Sequence, residues 1–214
     1  MIFNRPRRDA FFDPSLELYL MFQLVAIGGL LLIIIIIGEI IVNGFTEMFS
    51  KAMIAERVQE LATQISDDYA GREVIFICIL KGAVIFMTDL MRHLQLDDAT
   101  VEFMQVCSYE GVNSSGKVKM SLDVNVDISG KDIIVVEDII DTGCTIDFIR
   151  KHLMTKNPAS IKFCVLLDNP TRRGKNCPNP DYTGFVIPNQ FVFGYGLDYD
   201  EKYRGLPYIA ALTR

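Results

Sequence analysis

The sequence predicts an α/β domain built on a mainly parallel β-sheet, flanked by helices and carrying a hairpin flap. Three observations carry that expectation. The runs Val74–Leu80 and Ile133–Val136 are continuously apolar, as strands covered on both faces are. Strand-like and helix-like patterns alternate from Glu39 onward, in the order β-α-β-β-β-α-β from Val74. The second apolar run ends in the paired acids Glu137-Asp138 and then a short polar turn, Asp141-Thr142-Gly143-Cys144-Thr145, that opens into a helical pattern from Ile146.

Taken in order, Glu39 to Val42 is a short strand candidate. Ile54, Val58, Leu61, Ala62, Ile65 and Tyr69 recur at helical spacing and mark one face of an amphipathic helix. Val74–Leu80 is a buried strand that breaks at Lys81-Gly82, and a helix then runs through Leu94. Thr100 to Tyr109 is the next strand. Glu110 to Lys117 is a Gly/Ser/Asn loop without an apolar anchor, and Val118 to Val124 alternates as the return strand of a long hairpin. The strand from Ile133 and its helix follow, then a strand over Ile161 to Leu167 and a Pro/Gly/Asn-rich segment from Thr171 to Asp181. No internal repeat is visible.

Residues 1–38 do not match the rest. Leu18 to Ile37 is uncharged and apolar apart from Gln23, and it ends in five consecutive isoleucines. Its length suits a helix crossing roughly 30 Å of hydrocarbon, and it is long for a signal-peptide core. Three readings stay open: a membrane anchor, a helix packed on its own domain or a partner chain, and a start upstream of the true one near Gly38. Residues 39–214 form the predicted α/β domain.

A net charge of −6 excludes nonspecific attraction to nucleic acid as a working principle. The cysteines Cys78, Cys107, Cys144, Cys164 and Cys177 are odd in number and form no C-x-x-C, which reads as a reducing, cytosolic setting without zinc. His93 and His152 fall late in helical stretches, where a helix-end surface role is expected rather than catalysis.

The turn after Ile140 carries the chemistry. A strand feeding a tight turn and a helix brings free backbone N–H groups to one point, which suits a phosphate. Thr142 and Thr145 add hydroxyls, and Gly143 lets the backbone approach the ligand. Glu137 and Asp138 suit ribose hydroxyls or a divalent metal on a pyrophosphate. No G-x-x-x-x-G-K-[ST] occurs, so this is not a Walker A loop. Lys81-Gly82 at a strand end can offer N–H groups to an anionic leaving group. Ser108-Tyr109 opens the unanchored loop, placed to close over a site and exclude water. In the run Ile187 to Tyr199, Phe191 can stack on a planar base and Asp198 can hold a metal, while Arg204 can bind a phosphate through its planar fork.

These motifs, LKGA, SY, VEDIIDTG-x-T, LLD-x-P-x-RR and FV-x-GYG-x-DY…YR-x-LPYI, resemble those of the bacterial hypoxanthine-guanine phosphoribosyltransferases, within the type I phosphoribosyltransferase family. The resemblance spans Glu39 to Ala211 and implies the type I fold with a small C-terminal hood. It implies a Mg²⁺-dependent purine-salvage enzyme that moves 5-phosphoribosyl from phosphoribosyl pyrophosphate (PRPP) to a 6-oxopurine base, and a homodimer or homotetramer. By the same resemblance, Asp141 to Thr145 would hold the 5′-phosphate and Asp141 would be the general acid/base at purine N7. Glu137 and Asp138 would meet the ribose hydroxyls directly or through Mg²⁺, and Asp198 would bind a second Mg²⁺. Lys81, Gly82 and Arg204 would bind pyrophosphate, with a non-proline cis peptide between Leu80 and Lys81. Phe191 would stack on the purine, and the Val192 backbone would read its N1/N2 edge.

One position departs from the pattern. The family's lysine in LLD-K-P, which donates to the 6-oxo group, is Asn169 here, a shorter and uncharged donor that predicts a weaker hold on the base. Arg5, Arg7 and Arg8 precede the apolar segment and would keep the N-terminus cytoplasmic if the segment spans a membrane. The catalytic domain would then sit where PRPP is not available, which favours a cytoplasmic domain. A different class also fits the fold, a regulator or binding protein with altered base recognition. A nucleic-acid-binding regulator needs a basic face, and only Arg172, Arg173 and Lys175 cluster.

Overall fold

A computed structural model describes residues 44–108, 118–174 and 177–213. The expected strand over Glu39–Val42, the apolar segment, Tyr109 and the loop 110–117 lie outside them. Thr46–Arg214 forms one compact unit.

Strand β1 (Phe45–Phe49) leads into α1 (Lys51–Asp68), whose start is capped by Ser50 accepting from the Met53 N–H at 3.3 Å. All six residues of the expected helix face are buried. β2 (Val74–Leu80) coincides with its apolar run, and α2 (Val84–His93) follows. β3 (Ala99–Ser108) and β4 (Val118–Leu122) pair antiparallel as the expected hairpin. β5 (Asp132–Ile140) takes in the acid pair, which therefore stands within the strand's last turns of pleat. Then come α3 (Cys144–Met154) and β6 (Ser160–Asp168). Four short strands were not expected from the sequence: β1, β7 (Tyr182–Val186), β8 (Val192–Phe193) and β9 (Ile209–Leu212). Their side chains sit among glycines, prolines and aromatics that blur any period.

The main sheet runs β4-β3-β2-β5-β6-β7, parallel from β3 to β7 with antiparallel β4 at one edge. Side chains alternate across it. Phe76, Cys78, Ile134, Val136, Cys164 and Leu166 pack with α1, α2 and the C-terminal residues Val192, Tyr195 and Ile209. Ile75, Ile77, Ile133, Val135, Phe163 and Val165 pack with Ile146, Ile149 and Leu153 of α3. Both faces are covered, which is why the strands read as unbroken apolar runs. Edge strand β7 is blunted by Arg57 of α1, which donates to the carbonyls of Thr183 at 2.7 Å and Gly184 at 2.9 Å. A second sheet, β1-β9-β8, forms the hood.

The chain leaves β2 toward β3 on one side and runs from β5 through β6 to β7 on the other. The crevice beyond the carboxyl ends of β2 and β5 is thus a topological switch point, where open α/β sheets bind ligands.

Candidate active site

Lys81-Gly82 leaves β2 and Glu137-Asp138 lies near the C-terminal end of β5, so parallel pairing alone sets them side by side. The packing is tight. A Cβ on Gly82 would fall 1.5 Å from Asp138 Oδ2, and one on Gly196 would fall 2.0 Å from the Gly82 carbonyl. Two motifs more than a hundred residues apart therefore need glycine because each meets the other's backbone or a carboxylate. The peptide between Leu80 and Lys81 is cis, as expected.

The turn 141–145 is held from both sides. Gly143 sits at φ +81°, and a Cβ there would lie 2.0 Å from Cys177 Sγ. The Thr142 carbonyl accepts from the Gly174 N–H at 3.0 Å, which ties the turn to the segment after β6. Thr142 and Cys144 are exposed, and α3 begins at Cys144, so its first N–H groups, which have no partner within a helix, face the turn's mouth. An anion fits there.

Beside the turn lies a cavity of about 430 Å³, within the usual range for a small-ligand site. Asp138, Asp141 and Asp198 bring acids to it, and Asn169, Phe191 and Val192 line it as well. Phe191 is 50% exposed, with its ring edge-on to Tyr199 at 5.4 Å, whereas Val192 is buried in β8. Both oxygens of Asp141 are engaged. Asn169 Nδ2 donates to Oδ1 at 3.2 Å and Arg172 Nη1 lies 2.8 Å from Oδ2.

Glu137 is different. It is 8% exposed, its Oε2 has no hydrogen-bond partner among the described residues, and it is not among the described residues lining the cavity. Desolvation, then the neighbouring Asp138 charge, pushes its carboxyl well above the ordinary range. Burial raises Asp138 too.

At the cavity's other side, Lys81 Nζ meets Glu201 Oε2 at 2.9 Å. Arg204 reaches the same Glu201 oxygen at 3.6 Å, Asp198 Oδ1 at 2.6 Å and the Gly196 carbonyl at 2.8 Å. The loop that brings them there keeps Tyr195, Asp200, Glu201 and Tyr203 at positive φ, which non-glycine residues adopt at a cost. Ser108 ends β3 opposite Val118, at the base of the flap.

Glu201, Arg172 and Cys177 were missed from the sequence as parts of this site. Arg172 stood in the LLD-x-P-x-RR motif and in a small basic cluster without a role at the site, and no spacing signal separates it from Arg173. Glu201 lies within the run toward Arg204, but a lone acid gives no signal of a bridging role.

The phosphoribosyl transferase domain model matches residues 46–200. A hypoxanthine-guanine phosphoribosyltransferase of Streptococcus thermophilus is 43% identical over 166 residues, covering 77% of this chain and 91% of that one. The chain belongs to the hypoxanthine-guanine phosphoribosyltransferases. The hypoxanthine phosphoribosyltransferase of Escherichia coli is 42% identical over 165 residues, covering 76% of this chain and 92% of its own length. Among solved structures, an enzyme of this family from Bacillus anthracis superposes with TM-score 0.72 at 45% identity, over 78% of this chain and 97% of that one. The Trypanosoma cruzi hypoxanthine phosphoribosyltransferase in complex with the product IMP gives 0.72 at 40% identity, over 78% and 93%. The type I fold expected from the sequence is thereby established for residues 46 onward.

Proposed function

We infer that the chain transfers the 5-phosphoribosyl group of PRPP to N9 of hypoxanthine or guanine, forming IMP or GMP and pyrophosphate in purine salvage. The observation that carries this is the meeting of the phosphate turn, the acid pair and an acid-lined cavity at one switch point, in a member of this family.

In this reading the N–H groups and hydroxyls of Thr142 to Thr145 hold the 5′-phosphate. Asp138, with Glu137 behind it, faces the ribose hydroxyls. Lys81, the Gly82 backbone and Arg204 receive pyrophosphate, exchanging Glu201 for it. Phe191 stacks on the base and the Val192 backbone meets its far edge. Asp141 takes the N7 proton as N9 bonds to ribose C1 and the bond to pyrophosphate breaks. General acid/base help of this kind contributes roughly 10²–10⁴-fold. Ser108, at the end of β3, is where the loop expected to exclude water begins, and that loop lies outside the described residues.

Magnesium fits these groups. Asp138 and Asp198 are hard oxygen donors on one cavity, and Mg²⁺ is commonly held by one or two carboxylates with substrate phosphates and water. Among the described residues no three His, Cys, Asp or Glu side chains form a cage of their own, so pyrophosphate oxygens would complete the shell. When bound, the ion neutralises charge on the leaving group. The free thiols of Cys78, Cys144, Cys164 and Cys177 suit a reducing compartment.

The test is product formation. Full-length protein with Mg²⁺, PRPP and hypoxanthine should yield IMP and one equivalent of pyrophosphate, and none without PRPP. Absence of IMP, with PRPP bound but unreacted, would favour a binding protein instead.

A further inference from the structure

A 6-oxopurine carries N7 and the exocyclic oxygen side by side, both as acceptors when N7 is unprotonated. A site that sets Asp141 at N7 therefore needs a donor immediately beside it. Asn169, at the position of the family's lysine, is poorly placed for that task. It is 2% exposed, its Nδ2 is on Asp141 and its Oδ1 accepts from Thr171 Oγ1 at 2.7 Å. Its amide orients the acid.

The cation stands three residues on. A turn closed by the Arg172 N–H on the Asn169 carbonyl at 3.3 Å, with Pro170 as its first corner, fixes the segment. Arg173 is locked outside the cavity, with Nη2 on Asp168 Oδ2 at 2.8 Å and Nη1 on Asn179 Oδ1 at 2.7 Å. Its neighbour Arg172 then lines the cavity, half-exposed, with Nη1 beside Asp141 Oδ2. Among the described lining residues Arg172 alone carries positive charge. A guanidinium offers five N–H donors, so engaging one carboxylate oxygen leaves others to give.

We propose that Arg172 recognises the 6-oxo oxygen of the base and sets specificity for 6-oxopurines, a claim that rests on the purine reading of this cavity. Arg172 and Asp141 are neighbours as O6 and N7 are. When a base enters, the guanidinium shifts its N–H groups from Asp141 Oδ2 to the oxygen and leaves that carboxylate oxygen for N7. Arginine has no acceptor, so a 6-amino group would meet a donor with nothing to receive it, and adenine is refused.

Binding of two product nucleotides to the full-length protein tests this by calorimetry: IMP, and purine riboside 5′-monophosphate, which has hydrogen at C6. Arg172→Ala should weaken IMP about tenfold, the worth of a hydrogen bond from a charged donor, and leave the unsubstituted nucleotide within about twofold. Arg172→Lys should recover part of the IMP loss. Retained binding of the unsubstituted nucleotide also shows that the variant is folded. Equal loss for both nucleotides, or no loss for IMP, overturns the assignment of Arg172 while wild-type binding keeps the purine reading intact. Wild-type protein that binds neither nucleotide overturns that reading and this proposal with it.

Discussion

Glu137 stands three residues before the end of β5 with 8% exposure and an oxygen that has no hydrogen-bond partner among the described residues. Its raised carboxyl means that the folded chain keeps this proton to higher pH than the unfolded chain does. Stability therefore falls as pH rises from about 4.3, the ordinary carboxyl value, toward the raised one. Each unit of such a shift costs about 1.4 kcal/mol once the group is ionised. Glu137→Gln removes that cost. The expected outcome is a Tm higher by ~2–4 °C per kcal/mol at pH 8 and unchanged at pH 4. Calorimetric scans at the two pH values check it, and a Tm difference independent of pH would contradict the account. At the same scale, the departure at Asn169 was visible in the sequence, but what it does was not. Which of two adjacent arginines faces a cavity depends on Asp168 and Asn179 capturing Arg173, contacts five and six residues away that the loop's path sets and no regular spacing encodes.

Elements differ in how plainly the sequence announces them. β2 and β5 were legible because burial on both faces demands continuous apolar runs, and α1 because its six buried residues keep helical spacing. β7, β8 and β9 were not, because two to five residues give no period and their partners lie far away in sequence. The turn 141–145 was legible as a structure because strand, glycine and helix are contiguous there. The loop from Gly194 to Arg204 was legible only as a set of groups, because its positive-φ tyrosines and the placement of Glu201 come from tertiary packing. In that loop Glu201 spans Lys81 and Arg204, occupying the two cations assigned to pyrophosphate. Glu201→Gln removes an anion that pyrophosphate must displace. The expected outcome is a several-fold lower Kd for Mg²⁺-pyrophosphate with the KM for base unchanged. A weaker Kd would mean that Glu201 positions the cations and does not compete for them.

Across the whole molecule, the compact unit Thr46–Arg214 holds every group assigned to the site, and the family match begins at residue 46. Among the described residues no helix is long and apolar enough to cross a membrane, and Leu18–Ile37 lies outside them. A chain beginning at Glu39 should therefore keep the Tm and both substrate KM values of the full chain. A fall in Tm of more than about 4 °C, on the order of 1 kcal/mol or more, would show that the apolar run packs on this domain.

The measurement that bears most directly on the central claim is turnover by Asp141→Asn against its affinity for PRPP. In the proposed reaction Asp141 stands at the base and backbone N–H groups hold the phosphate. IMP formation should then fall by about 10²–10⁴-fold while the Kd for Mg²⁺-PRPP stays within about twofold. Near-normal turnover, or a loss of PRPP binding that matches the loss of rate, would contradict it.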